Sequence, residues 1–185
     1  MEKKIQSVCV YCGSGDNVDR VYKDAATELG RLLAASGITL VYGGEVTGLL
    51  GALSNACIGQ GGKVVGIILD TILREKGGQA QAAETVVVDS LHTRKKMMEE
   101  RADAFLVLPG GIGTLDEMFS MLANKYIGAH QKRIILLNTN AYFTPLLEMV
   151  DHMIRQGFSP SHHRHLFEVV DHPHDILRSL AIPKE

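Results

Sequence analysis

From Leu108 to Glu117 the chain reads LPGGIGTLDE, three glycines and a threonine between an apolar run and an acidic stretch. Pro109 stops the preceding strand, and Gly110, Gly111 and Gly113 let the chain turn with its amides exposed. Thr114 begins a helix whose unpaired amides and dipole favour an anion. A phosphate monoester fits that cradle, and Glu117 puts a carboxylate one turn further along, about 4.5 Å by the rise per residue. The same letters have a purely local reading. Thr114 with Glu117 three positions on also spells a capping box, in which both side chains only satisfy free backbone amides.

A second segment, SLHTRKKMMEER from Ser90, weighs toward chemistry. With Ser90 as N-cap, Arg94, Lys95 and Lys96 fall near the first turn, where positive charge opposes the helix dipole. Departures from local rules are expected at functional sites, and Arg94 shares a helical face with Met98 and Arg101. The alternative is a solvated cationic face paired with Glu99 and Glu100.

Glycines also follow two earlier apolar runs, in YCGSGD and YGGEVTGLLG, which bring Ser14, Gly43 and Gly44 to strand ends. Three glycine-bearing turns on one sheet edge imply close backbone approach to a ligand. None completes GxGxxG or GxxxxGK[ST], so a dinucleotide or nucleoside triphosphate site has little support.

The elements that must hold these turns are readable. Near-continuous Val, Ile and Leu runs begin at Ser7, Ile38, Lys63, Thr85, Asp103 and Arg133, as parallel strands covered on both faces require. Helical stretches are expected over 18–36, 48–59, 91–101, 114–126, 145–156 and 175–180. Their alternation argues an α/β fold, a doubly wound parallel sheet with helices on both faces, and 185 residues suit a single domain over 1–185. LFEVV from Leu166 reads as an added edge strand, and DTILREKGGQAQAAE from Asp70, with Gly77 and Gly78, as a mobile loop.

A net charge of −2 gives no footprint for nucleic acid, and no apolar run approaches the roughly 20 residues of a membrane span, so the expected setting is cytoplasmic. Cys9, Cys12 and Cys57 read as buried thiols. The CxxC of Cys9 and Cys12 lies on a strand, where side chains three apart face opposite ways. His162, His163 and His165, with His172 and His174, lack the spacing of a zinc signature, so no metal site is expected.

Taken together, VCVYCGS, VYGG, GLLGAL, HTRKKMM, ADAFLVLPGGIGTLDEM and GAHQK resemble the LONELY GUY (LOG) phosphoribohydrolases, whose members often carry the label lysine decarboxylase. The resemblance implies a Rossmann-like homodimer without a cofactor. It implies cleavage of the N-glycosidic bond of a nucleoside 5′-monophosphate to free base and ribose 5-phosphate, with N6-modified adenines favoured. By the same resemblance Gly110, Gly111, Gly113 and Thr114 cradle the 5′-phosphate, and Arg94 and Glu117 form the catalytic pair. Ser14, Gly43, Gly44, Glu75, Lys95 and Met98 would join Arg94 in binding substrate. Arg94 is left with three roles: orienting Glu117, contacting the nucleotide, or assisting the leaving base.

Two departures from the family pattern bear on base preference. Glu45 stands where a third glycine is usual, and ANKYIG from Ala123 replaces TWAQLG. Pyridoxal-dependent decarboxylation would need a Schiff-base lysine in a convincing setting, and none stands out. The remaining rival is a non-catalytic carrier of a nucleotide or molybdenum cofactor on a similar fold. The presence of both Arg94 and Glu117 favours the enzyme.

Overall fold

The computed structural model describes residues 5–75, 82 and 84–181. Among these, seven strands build one sheet: β1 (Ser7–Tyr11), β2 (Thr39–Tyr42), β3 (Val64–Leu69), β4 (Glu84–Val88), β5 (Ala104–Val107), β6 (Arg133–Leu137) and β7 (Glu168–Val170). The helices are α1 (Arg20–Ala35), α2 (Gly48–Gly59), α3 (Asp70–Glu75), α4 (Leu91–Glu100), α5 (Ile112–Tyr126), α6 (Thr144–Arg155) and α7 (Pro173–Ala181).

All pairings are parallel, in the order β4-β3-β2-β1-β5-β6-β7. The chain steps outward from β1 to β4, then returns to the other side of β1 with β5. That reversal opens a crevice beyond the carboxyl ends of β1 and β5, where doubly wound sheets bind ligands. Register keeps the ends level: Val10 pairs with Tyr42 on one side and Leu106 on the other. The turns after β1, β2 and β5 therefore stand side by side.

Alternation along β1 divides the core. Val8, Val10 and Cys12 pack with Leu29 and Leu33 of α1, Leu53 of α2 and Ile176 of α7. Cys9 and Tyr11 pack on the other face with Met98 of α4, Met118 and Met121 of α5, and Val150 of α6. Each large aliphatic side chain buried this way contributes about 1.5–3 kcal/mol. The three thiols are free and buried, with Cys9 and Cys12 on opposite faces as strand geometry demands. Burial pushes both of these thiols up, which keeps them protonated and poorly nucleophilic.

The edge strand expected in LFEVV is β7. The segment read as a loop from Asp70 differs: its first six residues form α3, whose Arg74 pairs with Asp70 one turn earlier at 2.6 Å. Gly77 and Gly78 lie outside the described residues. Among the described residues no helix is long and apolar enough to cross a membrane.

Candidate active site

A cavity of about 440 Å³ lies at the sheet's switch point, bounded by the turns after β1, β2 and β5. Hydrogen bonds tie the turns to one another. Gly13 N donates to Pro109 O (3.0 Å) and Leu49 N to Gly13 O (2.9 Å), while Gly48 N donates to the Asp16 carboxylate (2.9 Å). The Tyr142 hydroxyl donates to Gly110 O at 2.6 Å and lines the cavity beside it.

The β5 turn differs from the capping-box reading. Helix α5 starts at Ile112 with Gly111 as N-cap, and no side chain caps it. Thr114 is therefore already inside the first turn, and Glu117 lies one turn deeper, so neither caps the helix. The reason is local: extended Gly111 lets the helix begin two residues early, and Thr114 is buried with its side chain packed over Gly110. A Cβ at Gly110 would overlap the Thr114 hydroxyl and lie 2.8 Å from Gly13 N. With no side chain filling the cap, the first amides of α5 stay available to an anion.

Arg94 comes from α4, whose N-cap is Ser90; its Oγ accepts from Thr93 N at 3.2 Å. Only 8% of Arg94 is exposed. Its guanidinium uses all three nitrogens: Nε donates to Ile67 O (3.0 Å), Nη2 to Gly43 O (3.2 Å), and Nη1 faces Glu117 Oε1 at 3.3 Å. A Cβ on Gly43 would land on Nη2, so glycine is what admits the cation here.

The Glu117 side chain is 12% exposed, and its pKa is raised to about 7. Burial is the main cause; Arg94 opposes it, Asp116 adds to it, Lys95 opposes and Glu45 adds. The result is a carboxylate poised near neutrality, the property of a general base or acid.

A family model described as "Possible lysine decarboxylase" matches residues 50–180. The "Probable cytokinin riboside 5'-monophosphate phosphoribohydrolase LOGL9" of Oryza sativa subsp. japonica is 42% identical over 90% of this chain and 73% of its own length. The cytokinin riboside 5′-monophosphate phosphoribohydrolase LOG1 of Arabidopsis thaliana is 37% identical over 97% of this chain and 84% of its own. The enzyme of that name from Rhodococcoides fascians is 40% identical over 83% and 78%. The chain belongs to the LOG family. The molybdenum cofactor binding protein of Rippkaea orientalis superimposes with a TM-score of 0.70 over 95% of this chain and 97% of its own, but at 20% identity. It shares the fold alone.

Against the LOG pattern, the cavity of this chain brings together Ser14, Gly43, Arg94, Met98, Gly110, Gly111, Gly113, Thr114 and Glu117. Three residues expected beside them fall elsewhere. Lys95, one position past Arg94, is turned about 100° around the helix. It holds Asp116 of α5 at 3.0 Å and Ser120 Oγ at 2.9 Å, pinning α4 to α5. Gly44 backs onto Ile68 rather than the cavity. Glu75 is exposed at the end of α3, away from the cavity lining.

Lys96 takes the solvated reading, 3.9 Å from Glu100 with both side chains exposed. None of residues 123–128 lines the cavity, so in this LOG chain that departure does not face the ligand space directly. Tyr126 instead packs edge-on against His163. His172 and His174 stack on each other, and among the described residues no group of three His, Cys, Asp or Glu is placed to hold a metal ion. Sequence reasoning missed Tyr22 and Tyr142, which meet edge-on at 5.7 Å and line one side of the cavity. Neither stands in a glycine turn, and no spacing marks them.

Proposed function

We propose that this chain hydrolyses the N-glycosidic bond of nucleoside 5′-monophosphates, with adenine or an N6-modified adenine as base, to free base and ribose 5-phosphate. The observation that carries the reading is the buried Arg94–Glu117 pair in the same cavity as the uncapped start of α5. The 5′-phosphate takes the amides of Gly111, Gly113 and Thr114, and its anchoring aligns the sugar with Glu117. As the C1′–N bond stretches, positive charge grows on the ribose. Ionised Glu117 stabilises that charge and takes a proton from the attacking water, whose oxygen bonds to C1′. The bonding pair leaves with the base, which takes up the proton that Glu117 removed from water, and the carboxylate is regenerated. Arg94, held by two backbone carbonyls, keeps Glu117 in place and favours its ionised form.

The test is incubation with AMP and N6-isopentenyl-AMP, followed by chromatography for free base and ribose 5-phosphate. Adenosine, which lacks the anchor, should react far more slowly than AMP; equal rates would remove the phosphate cradle from the mechanism.

The reading extends to a homodimer. Ile112 (83% exposed), Phe119 (42%) and Tyr126 recur every seven residues along α5, one apolar stripe on its outer side. We expect sedimentation to give a dimer for the wild type and Phe119→Glu to shift it toward monomer. An unchanged mass for that variant removes the stripe as the seam. Free buried thiols suit a reducing compartment, so the cytoplasm is the proposed setting.

A further inference from the structure

The turn after β2 reads Gly43-Gly44-Glu45-Val46-Thr47, and Glu45 is its single charge. Gly44 takes a φ of +78°, and a Cβ there would lie 2.8 Å from Ile68 Cβ, so the backbone is pressed against β3 just before Glu45. Glu45 is half-buried and lines the cavity that holds Arg94 and Glu117. Its charge also helps to raise the pKa of Glu117, as expected of two carboxylates sharing one space.

Topology separates Glu45 from the anion cradle. The cradle follows β5, Glu45 follows β2, and β1 lies between them. At roughly 4.8 Å per strand the two walls stand about 10 Å apart. A nucleotide held by its phosphate at α5 therefore presents its next part, the sugar, to the β2 wall. A carboxylate only accepts hydrogen bonds. A vicinal diol offers it two donors, whereas the edge of an adenine sets its amino group beside ring-nitrogen acceptors that a carboxylate repels. Other doubly wound sheets hold a ribose hydroxyl with an acidic residue downstream of the first glycine turn.

We propose that Glu45 accepts hydrogen bonds from the ribose 2′- and 3′-hydroxyls and makes this enzyme selective for ribonucleotides. The proposal rests on the hydrolase reading for the class of ligand. It also adds to the chemistry, because a 2′-hydroxyl donating to a carboxylate withdraws less charge from C1′ as the glycosidic bond breaks.

The experiment compares AMP, 2′-deoxy-AMP and 3′-deoxy-AMP by calorimetric binding and by turnover, for wild type, Glu45→Gln and Glu45→Gly. The wild type should bind AMP at least about tenfold tighter than either deoxynucleotide, as loss of a hydrogen bond to a charged group implies. Both variants should bring the three affinities within about threefold, weakening AMP most and each deoxynucleotide, which keeps one of the two hydroxyls, less. Variants that keep the wild-type preference, or that weaken all three nucleotides equally, overturn the proposal. Binding needs no turnover, so AMP bound selectively but never cleaved sinks the hydrolase reading while Glu45 keeps its role. Failure of the wild type to bind AMP overturns both.

Discussion

Glu117→Gln should lower the single-turnover rate on AMP by about a hundredfold or more while leaving AMP binding and the fold intact. Glutamine keeps the size and hydrogen-bonding reach of the side chain. In the proposed mechanism it removes the charge that faces the developing cation, an expected loss of roughly 2.7–4 kcal/mol by analogy with one preorganised electrostatic group. The same variant has a thermodynamic signature. Burial raises the Glu117 pKa from 4.5 to about 7, so the folded state binds this proton more tightly than the unfolded chain. Its contribution to stability is thus fully present below pH 4.5, falls as pH rises toward 7, and is flat above. The fall amounts to about 3 kcal/mol at roughly 1.4 kcal/mol per pKa unit. Glutamine does not titrate, so that part of the pH dependence should vanish in denaturant melts of the variant. A variant that turns over AMP at the wild-type rate would remove Glu117 from the chemistry.

Why the sequence could point at Glu117 but not describe its surroundings follows from what spacing encodes. The sheet was legible because parallel strands buried on both faces must be apolar almost throughout, and the glycines at their ends mark where the chain reverses. Helix α2 begins and ends at the expected residues. The start of α5 was not legible. A threonine followed three residues later by a glutamate has capping-box spacing whether or not a helix began before it, and only the extended Gly111 decides. Arg94 stood out as a cation in a first turn. Its acceptors did not, since Ile67 and Gly43 are 27 and 51 positions away and offer only backbone oxygens, which any sequence supplies. Lys95 broke the same local rule as Arg94, yet one step around the helix sent it to Asp116. The sequence identifies the anomalous turn; which of its cations enters the cavity depends on the helix's rotation about its axis.

Arg94→Gln should move the acid limb of kcat/KM on AMP to higher pH. In the wild type kcat/KM is expected to rise with pH and level off above about 7, the pKa of Glu117 in the free enzyme. Arg94 is the largest influence holding that value down. Without its charge, burial acts unopposed by its nearest partner, and Glu117 stays protonated past neutrality. At pH 7 most of the variant would then lack the ionised carboxylate, and activity would fall sharply, with partial recovery at higher pH. Stability carries the matching sign. With the Glu117 pKa raised further, the window over which stability falls extends above 7, so the deficit of the variant relative to wild type should widen as pH rises through that range. Part of the deficit is independent of pH, because Ile67 O and Gly43 O lose their charged donors. A limb that stays where the wild type has it, with a stability deficit constant in pH, would mean that Arg94 acts on the substrate directly and not through the ionisation of Glu117. Lysine is the discriminating control. It restores a positive charge but not the planar fork that reaches two carbonyls and a carboxylate together. Arg94→Lys should therefore bring the limb part of the way back while leaving kcat low, which separates the charge of Arg94 from its geometry.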